Sequence, residues 1–220
     1  MKPRQPVTRR EAGTALAALG AVAMMPKAAV AQEIRQLPAP RKEAGRPLMQ
    51  ALQARRSIRE YSQRPLSAQT LSDILWAAYG INRPSGDRTA PYWRHIMVID
   101  VYAVMADGAW LYQPKEHALR RHLAADIRAQ TGTQDFVGTA PLNLVYVVHG
   151  ERMHGVSAED RRLYGSVDAA FAGQNVYLYC ASEGLATVFR GAVDHEKLGR
   201  ALELPQGQFV AFAQTVGNSS

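Results

Sequence analysis

The chain has 220 residues, of which 47% are apolar and 20% are charged, and its formal net charge is +7. These values are those of one globular domain with a sizeable core, and they exclude an intrinsically disordered protein. Five basic residues and one acidic residue fall within residues 1–31, so the remainder carries a net charge of only +3. Because that remainder shows no alternation of basic and aromatic residues, we expect no nucleic-acid partner.

Residues 1–31 have the order of an export signal. The pair Arg9-Arg10 precedes a mildly apolar run at 12–25, and Ala29-Val30-Ala31 supplies the small residues of a cleavage site. The run is too short to cross a bilayer, so no membrane span is expected in the mature chain. Paired arginines before such a run are typical of a twin-arginine signal. The segment therefore predicts a periplasmic or otherwise exported protein.

Residues 32–46 are polar and proline-rich, and they predict an extended linker or arm. A helix is predicted over 47–56, with the apolar side chains of Leu48, Met49 and Leu52 on one face. The remaining residues of this helix are mostly polar. The pattern is therefore that of an amphipathic helix at the start of the folded domain.

Three arginines and a serine follow in quick succession: Arg55, Arg56, Ser57 and Arg59. Arginine presents a planar fork of donors that binds phosphate oxygens in pairs, and such charge-assisted hydrogen bonds are the strong ones. The run therefore favours a pocket for a phosphorylated ligand. A solvated basic surface is the alternative when the run is taken by itself.

The rest of the chain mixes helices and strands. Further helices are predicted at 68–79, 119–130, 167–183 and 194–202, with caps or ends at Ser67, Gly80, Gly184 and Asp194. A loop is predicted at 81–93, and strands at 96–105, 110–113, 142–148, 186–189 and 209–216. Strict βαβ alternation is missing, so residues 47–220 predict an α+β sandwich whose central, antiparallel-rich sheet is flanked by helices.

Familiar catalytic motifs are missing from the sequence. The six histidines have no carboxylate or cysteine neighbours at metal-ligand spacing, and neither a nucleophile elbow nor a P-loop occurs. The single cysteine, Cys180, stands in an apolar helical pattern and is expected to be a packed small residue. If the protein is an enzyme, an organic cofactor must carry the difficult step.

Several segments in order resemble the nitroreductase family of FMN-dependent oxidoreductases. They are Arg55-Arg56-Ser57-Ile58-Arg59, then Pro65-Leu66-Ser67, and the helix that runs on to Gly80-Ile81-Asn82-Arg83. The resemblance covers about residues 48–217 and is closest to short single-domain members of the SagB-type dehydrogenase kind. It implies a nitroreductase-like sandwich that forms an intertwined homodimer, with two FMN sites built by both subunits.

The resemblance also implies site residues. Arg55 corresponds to the residue that binds the FMN phosphate, and Arg56 and Ser57 correspond to residues near the ribityl chain. Arg59 would lie by the pyrimidine edge, where a cation stabilises the charge of the reduced flavin. An exposed ion pair is the alternative for Arg59.

A later segment, Arg190 and Gly191, corresponds to the strand end whose backbone amides face flavin N5. Gly191 suits close backbone approach, although it could be a plain strand-end glycine. His95 occupies the position of an asparagine that binds the flavin in relatives, and Tyr92 and Trp93 could stack on the ring or fill the substrate space. The chain ends in Asn218-Ser219-Ser220 where relatives carry a lysine or arginine, which implies weaker FMN binding.

These features predict an exported FMN-dependent oxidoreductase whose chemistry is borne by the flavin, with no catalytic side chain and no metal. Hydride or electrons would pass through flavin N5 between NAD(P)H or another donor and a small organic acceptor. Dehydrogenation of a small or peptide substrate is a close variant. The alternative is a non-catalytic FMN-binding or remnant protein with an occluded substrate pocket.

Overall fold

A computed structural model describes residues 33–220. The export signal predicted at 1–31 lies outside the described residues. Seven strands form one sheet in the order β1-β4-β3-β2-β5-β7-β6, and every neighbouring pair is antiparallel. The strands are β1 Ile34–Gln36, β2 Ile99–Met105, β3 Gly108–Gln113, β4 Ala118–Leu123, β5 Leu142–His149, β6 Leu185–Arg190 and β7 Gln208–Asn218.

Within the described residues, four α-helices accompany the sheet: α1 Leu48–Ala54, α2 Ala68–Tyr79, α3 Ala158–Glu183 and α4 His195–Ala201. Alternate residues of the central strands enter two separate cores. Leu144 and Tyr146 of β5 pack with residues of α2 and α3, whereas Val145 and Val147 pack with residues of α4. The sheet therefore carries helices on both faces, which confirms the predicted α+β sandwich.

The helix starts and stops that depend on local signals were predicted well. The side chain of Ser67 accepts the Thr70 N–H and begins α2, and Asp194 caps α4 in the same way. Gly184 ends α3 in the left-handed conformation, with a φ of 73°. The start of α3 was placed nine residues too late, because Ser157 is its N-cap and accepts the Asp160 N–H.

Two predicted elements differ in the structure. Residues 119–130, predicted as a helix, form strand β4 and then a short 3-10 turn, because 118–123 pair with β3 and cover Trp110. Residues 33–46 belong to the segment predicted as an extended linker or arm, and they are joined to the domain. Strand β1 pairs with β4 and forms the edge strand of the sheet. The Arg41 Nε lies 2.7 Å from a carboxylate oxygen of Asp73 in α2.

Helix α1 is amphipathic as predicted and packs on α3, where Ala51 is buried, yet its largest apolar side chains are exposed. Leu48 is 61% exposed and Met49 is 74% exposed. Phe171 of the long helix α3 is also 44% exposed. Large apolar side chains are more often buried, so a chain that displays several of them is expected to cover them with a partner.

Candidate functional site

The arginine segment begins where α1 ends. Arg55 is the C-cap residue, and its backbone N–H donates to the carbonyl of Ala51. Its guanidinium carbon lies 5.2 Å from the centre of the Tyr177 ring on α3, a cation–π distance. The Arg56 side chain turns back and donates to the carbonyls of Gln53 and Arg55. Of these two arginines, Arg55 is thus the one positioned by the fold.

A chain of hydrogen bonds joins this segment to the sheet. The Tyr177 hydroxyl accepts the Phe189 backbone N–H at 2.9 Å and lies 2.7 Å from Ser57 Oγ. The Ile58 N–H donates to the Thr187 carbonyl at 2.9 Å. Residues 55–59 therefore lie against the edge strand β6, close in space to the C-terminal end of that strand at Arg190.

The positive charge of this surface is not neutralised within residues 33–220. Arg41, Arg121 and Arg128 each form an ion pair with a carboxylate, whereas no such pair is formed by any of the arginines in the segment 55–59. Arg59 is exposed, so the alternative that it serves as an ion-pair partner is not observed in the described chain. An uncompensated cluster of this kind suits an anionic ligand.

The side chain of Arg190 has a structural role. It is 3% exposed, and its three nitrogens donate to the Thr131 carbonyl, Asn143 Oδ1 and Thr215 Oγ1 at 3.0 to 3.2 Å. Burial lowers the pKa of this guanidinium to about 10. Its side chain is therefore committed to the core, and only its backbone can face a ligand at the end of β6.

Gly191 follows at the surface. A Cβ placed there would meet nothing closer than the Phe212 ring at 3.7 Å, which is an ordinary contact. The packing of the described chain therefore does not require glycine at this position. A close approach by a ligand or a second subunit remains the predicted reason for it.

His95 lies elsewhere on the chain and is not brought together with the arginine segment. Its side chain is 88% exposed, and its Nδ1 lies 3.7 Å from an Asp87 oxygen. The neighbouring Trp93 N–H donates to Asp168 of α3, nine residues before Tyr177, which is about 13 Å along the helix. Within one chain, then, the predicted site residues form one cluster at Arg55–Arg59, Arg190 and Gly191, with His95 apart from it.

The two aromatic residues before His95 are used in packing. The Tyr92 hydroxyl donates to Asp87, and its ring meets Tyr79 edge-on at 6.2 Å. Trp93 stacks on Tyr164 of α3 at 6.1 Å. Both rings are thus held against their own chain.

Asp168 is a buried carboxylate that the sequence did not single out. It is 3% exposed, and its one hydrogen bond in the described chain comes from the Trp93 N–H at 3.0 Å. Burial raises its pKa from 3.8 to about 6. Because the raised pKa favours the neutral acid, this group stabilises the fold below pH 4 and loses that contribution as the pH rises past 6.

Replacing Asp168 by asparagine is expected to stabilise the protein at pH 8. The pKa difference between 3.8 and about 6 sets an upper limit of about 3 kcal/mol, which solvent screening reduces to about 1–2 kcal/mol. The gain should disappear between pH 7 and pH 4, as urea unfolding at several pH values would show. The exposed Asp135→Asn variant is the control. A gain that does not change with pH would contradict the assignment.

Two further contacts near the arginine segment were missed by sequence reasoning. The Asn218 side chain accepts from Arg64 Nη2 at 3.1 Å and donates to the Arg64 carbonyl at 3.0 Å. Arg64 is thereby held at the C-terminal end of β7, where relatives were expected to carry a cation of their own. The partners are 154 positions apart in the chain, so no local pattern could have paired them.

Other kinds of site have no support in the described part of the chain. Within residues 33–220, no three His, Cys, Asp or Glu side chains come together as a metal site would require. No helix in that range is long and apolar enough to span a bilayer. Cys180 is fully buried, and burial raises the pKa of its thiol, which confirms a packing role.

Comparisons with known proteins identify the family of the chain. The chain matches the Nitroreductase family over residues 52–218. It is 41% identical to a protein of Ralstonia eutropha JMP134 described as a nitroreductase, whose crystal structure superposes with a TM-score of 0.81 over 85% of this chain and 90% of that one. A protein of Methanocaldococcus jannaschii whose name places it among the nitroreductases is 30% identical over 162 residues, 69% of this chain and 82% of that protein.

A more distant likeness concerns the fold alone. The NADPH:FMN oxidoreductase of Vibrio harveyi, solved in complex with NAD+, is 22% identical. It superposes with a TM-score of 0.59 over 79% of this chain and 69% of that one.

Proposed function

Because this chain belongs to the Nitroreductase family, which points to a flavin-dependent oxidoreductase, we propose that it binds FMN and transfers electrons between a reduced donor and a small organic acceptor. One observation carries the proposal. The arginines of residues 55–59 lie without carboxylate partners from residues 33–220, beside the end of β6. A phosphate monoester is the anion that such a cluster suits best.

The residues present fit a flavin mononucleotide. Arg55, held over Tyr177, would bind the phosphate, and Arg56 and Ser57 would lie along the ribityl chain. Arg59 would stand by the pyrimidine edge, where its fixed charge favours the reduced state. The Lys or Arg that relatives carry just after the position of Gly217 is missing here. Arg64, which Asn218 holds in place, would supply a cation at that point.

The end of β6 would face the reactive edge of the ring through backbone amides. Burial and three hydrogen bonds hold the Arg190 side chain, so its backbone position is fixed, and Gly191 leaves room for close approach. When bound, FMN would supply two-electron redox chemistry. The chain's own residues therefore bind, orient and stabilise charge, and none of them acts as a nucleophile.

A homodimer is part of the proposal. The exposed apolar side chains of α1 and α3, including Leu48, Met49 and Phe171, offer a surface that a second copy would cover. Such a partner would also bring a His95 toward the arginine cluster, which a single chain does not do. The dimer thus accounts for two otherwise separate observations.

The physiological setting is inferred from the sequence. The signal-like residues 1–31 favour export by the twin-arginine route, which carries folded proteins and would allow FMN to be taken up beforehand. NADPH is the donor in the name of the Vibrio harveyi relative, but it is scarce outside the cytoplasm. The natural donor is therefore proposed to be NAD(P)H or another reductant, and the acceptor a quinone or a nitroaromatic. In the dehydrogenase variant, a heterocycle of a modified peptide would itself be oxidised and would supply the electrons.

Anaerobic spectroscopy tests the activity. The purified protein is expected to be yellow, to bleach on addition of NADPH, NADH or another reduced donor, and to regain its colour with a nitroaromatic or a quinone. Persistent colour that responds to none of these donors would contradict catalysis and favour the non-catalytic flavin binder. The packing of Tyr92 and Trp93 against their own chain supports the enzyme, because these rings are then less available to close the pocket.

A further inference from the structure

A cavity of about 110 Å³ lies against the loop 81–95. Its wall includes Tyr79 at the end of α2, Arg88 of the loop, and Asp100 of β2. A volume of this size holds a few water molecules or one small polyatomic ion. None of the residues at 55–59, 190 or 191 lines it.

Arg88 is the unusual member of this wall. It is 9% exposed, and its Nε and Nη1 find no acceptor among residues 33–220. The remaining nitrogen, Nη2, has only the thioether sulfur of Met97 at 3.0 Å, which is a weak acceptor. A guanidinium cannot lose its proton in a protein, and a buried charge without partners is costly.

Tyr79 adds a second unpaired donor. It is 2% exposed, its hydroxyl has no partner in the described chain, and its ring lies 5.3 Å from the Arg88 guanidinium carbon. Burial raises the pKa of this hydroxyl, so it keeps its proton. Arg88 and Tyr79 therefore offer donors that only an acceptor can satisfy.

The other polar groups of the wall already have partners. An Asp100 oxygen lies 2.8 Å from His149 Nε2, and the Tyr112 hydroxyl lies 2.9 Å from His117 Nδ1. Arg152 donates to the Met97 carbonyl at 2.7 Å and brings a second positive charge. The unpaired donors of Arg88 and Tyr79 therefore lie in a wall that contains two arginines and one carboxylate. That carboxylate is already bonded to a histidine.

The backbone around Arg88 is fixed by the fold. Arg88 forms a β-bridge with Ile81, and the Thr89 N–H donates to the Gly80 carbonyl at 2.9 Å. The backbone that carries the guanidinium is therefore held in place by its pairing with Gly80 and Ile81. Such preorganisation lowers the cost of binding.

From this geometry we propose a second binding site, in which a small oxyanion of the size of formate, nitrate or phosphate bonds to Arg88 and to the Tyr79 hydroxyl. Water would satisfy the hydrogen bonds but would leave two arginines facing one carboxylate in the wall, which is a surplus of positive charge. The bound anion would also fasten the loop, because Tyr92 packs edge-on against Tyr79 and is followed at once by Trp93, Arg94 and His95. The site goes beyond the proposed flavin chemistry and shares no residue with it.

Thermal unfolding of the full chain, with FMN present, tests the site. Formate, nitrate and inorganic phosphate are titrated against sodium chloride at matched ionic strength. At least one of the three is expected to raise the unfolding midpoint saturably. Arg88→Met should abolish the rise, and Tyr79→Phe should weaken the apparent affinity about fivefold, as expected for the loss of one hydrogen bond. The control Arg200→Met, an exposed arginine on α4, should bind as the parent does.

Three outcomes would overturn the proposal. The absence of a saturable rise with any probe means that the cavity takes water only. A rise that survives unchanged in both Arg88→Met and Tyr79→Phe places the anion elsewhere. A rise that is lost in Arg55→Ala but kept in Arg88→Met assigns it to the flavin phosphate site. If Arg88→Met does not fold, Tyr79→Phe decides, because it removes only one hydroxyl.

Discussion

Replacing Arg55 by alanine is expected to weaken FMN binding by about one to two decades. Each charge-assisted hydrogen bond to phosphate is worth about 1.5–3 kcal/mol, and 1.4 kcal/mol is a factor of ten in the dissociation constant. The double variant Arg55→Ala with Arg59→Ala should lose more, because a second charge is removed. Titration calorimetry or quenching of flavin fluorescence measures the effect.

The matched control is Arg200→Ala. Arg200 is 72% exposed at its side chain and lies 3.6 Å from Glu196 on α4, so its loss changes the net charge equally without touching the cluster. Folding of the Arg55 variant should be intact, since that side chain contributes only its position over Tyr177. Unchanged flavin affinity in both Arg55→Ala and the double variant would contradict the assigned roles.

Arg190→Ala should cost the protein about 2–4 kcal/mol of unfolding free energy, the largest stability loss expected here. The Thr131 carbonyl and Asn143 Oδ1 would lose buried donors, and the missing side chain would leave a cavity. Thr215 Oγ1 would still donate to Asn143 at 2.6 Å, which limits the loss. Denaturant unfolding, followed through the shift of the midpoint at constant slope, measures it.

Arg162→Ala provides the comparison for that loss. Arg162 is exposed, and within residues 33–220 its recorded side-chain contact is a cation–π contact with Phe209 at 5.2 Å, so its removal should cost less than about 1 kcal/mol. Equal losses in the two variants would mean that the buried hydrogen bonds of Arg190 contribute little. The flavin content of Arg190→Ala should fall as well, because the end of β6 is no longer held in place.

The fold was predicted best where a local signal exists. Helix α2 begins at the Ser67 cap and ends before Gly80, and strand β5 is mostly apolar and buried throughout. Residues 119–123 were mistaken for helix because their apolar residues fit either period, and pairing with β3 decided the outcome. Strand β1 was missed because three residues at a sheet edge carry no pattern of their own.

The site residues were likewise predicted only where a local sequence pattern marks them. The arginine segment could be found in the sequence, since four of its five residues carry the chemistry and stand together. Tyr177 could not, because its hydroxyl joins Ser57 to β6 across 120 positions of chain. Asp168 and Arg88 are unusual only because they are buried. The sequence shows a charged residue in a helix or a loop, but it does not show that the side chain is buried.

The central claim is that the arginine cluster of a dimeric chain binds FMN. Titration of FMN into the purified protein by calorimetry, with the mass followed by sedimentation, tests it most directly. The account predicts a dimer that takes up one FMN per chain, or that already carries it. A colourless monomer that gives no heat with FMN would contradict the account.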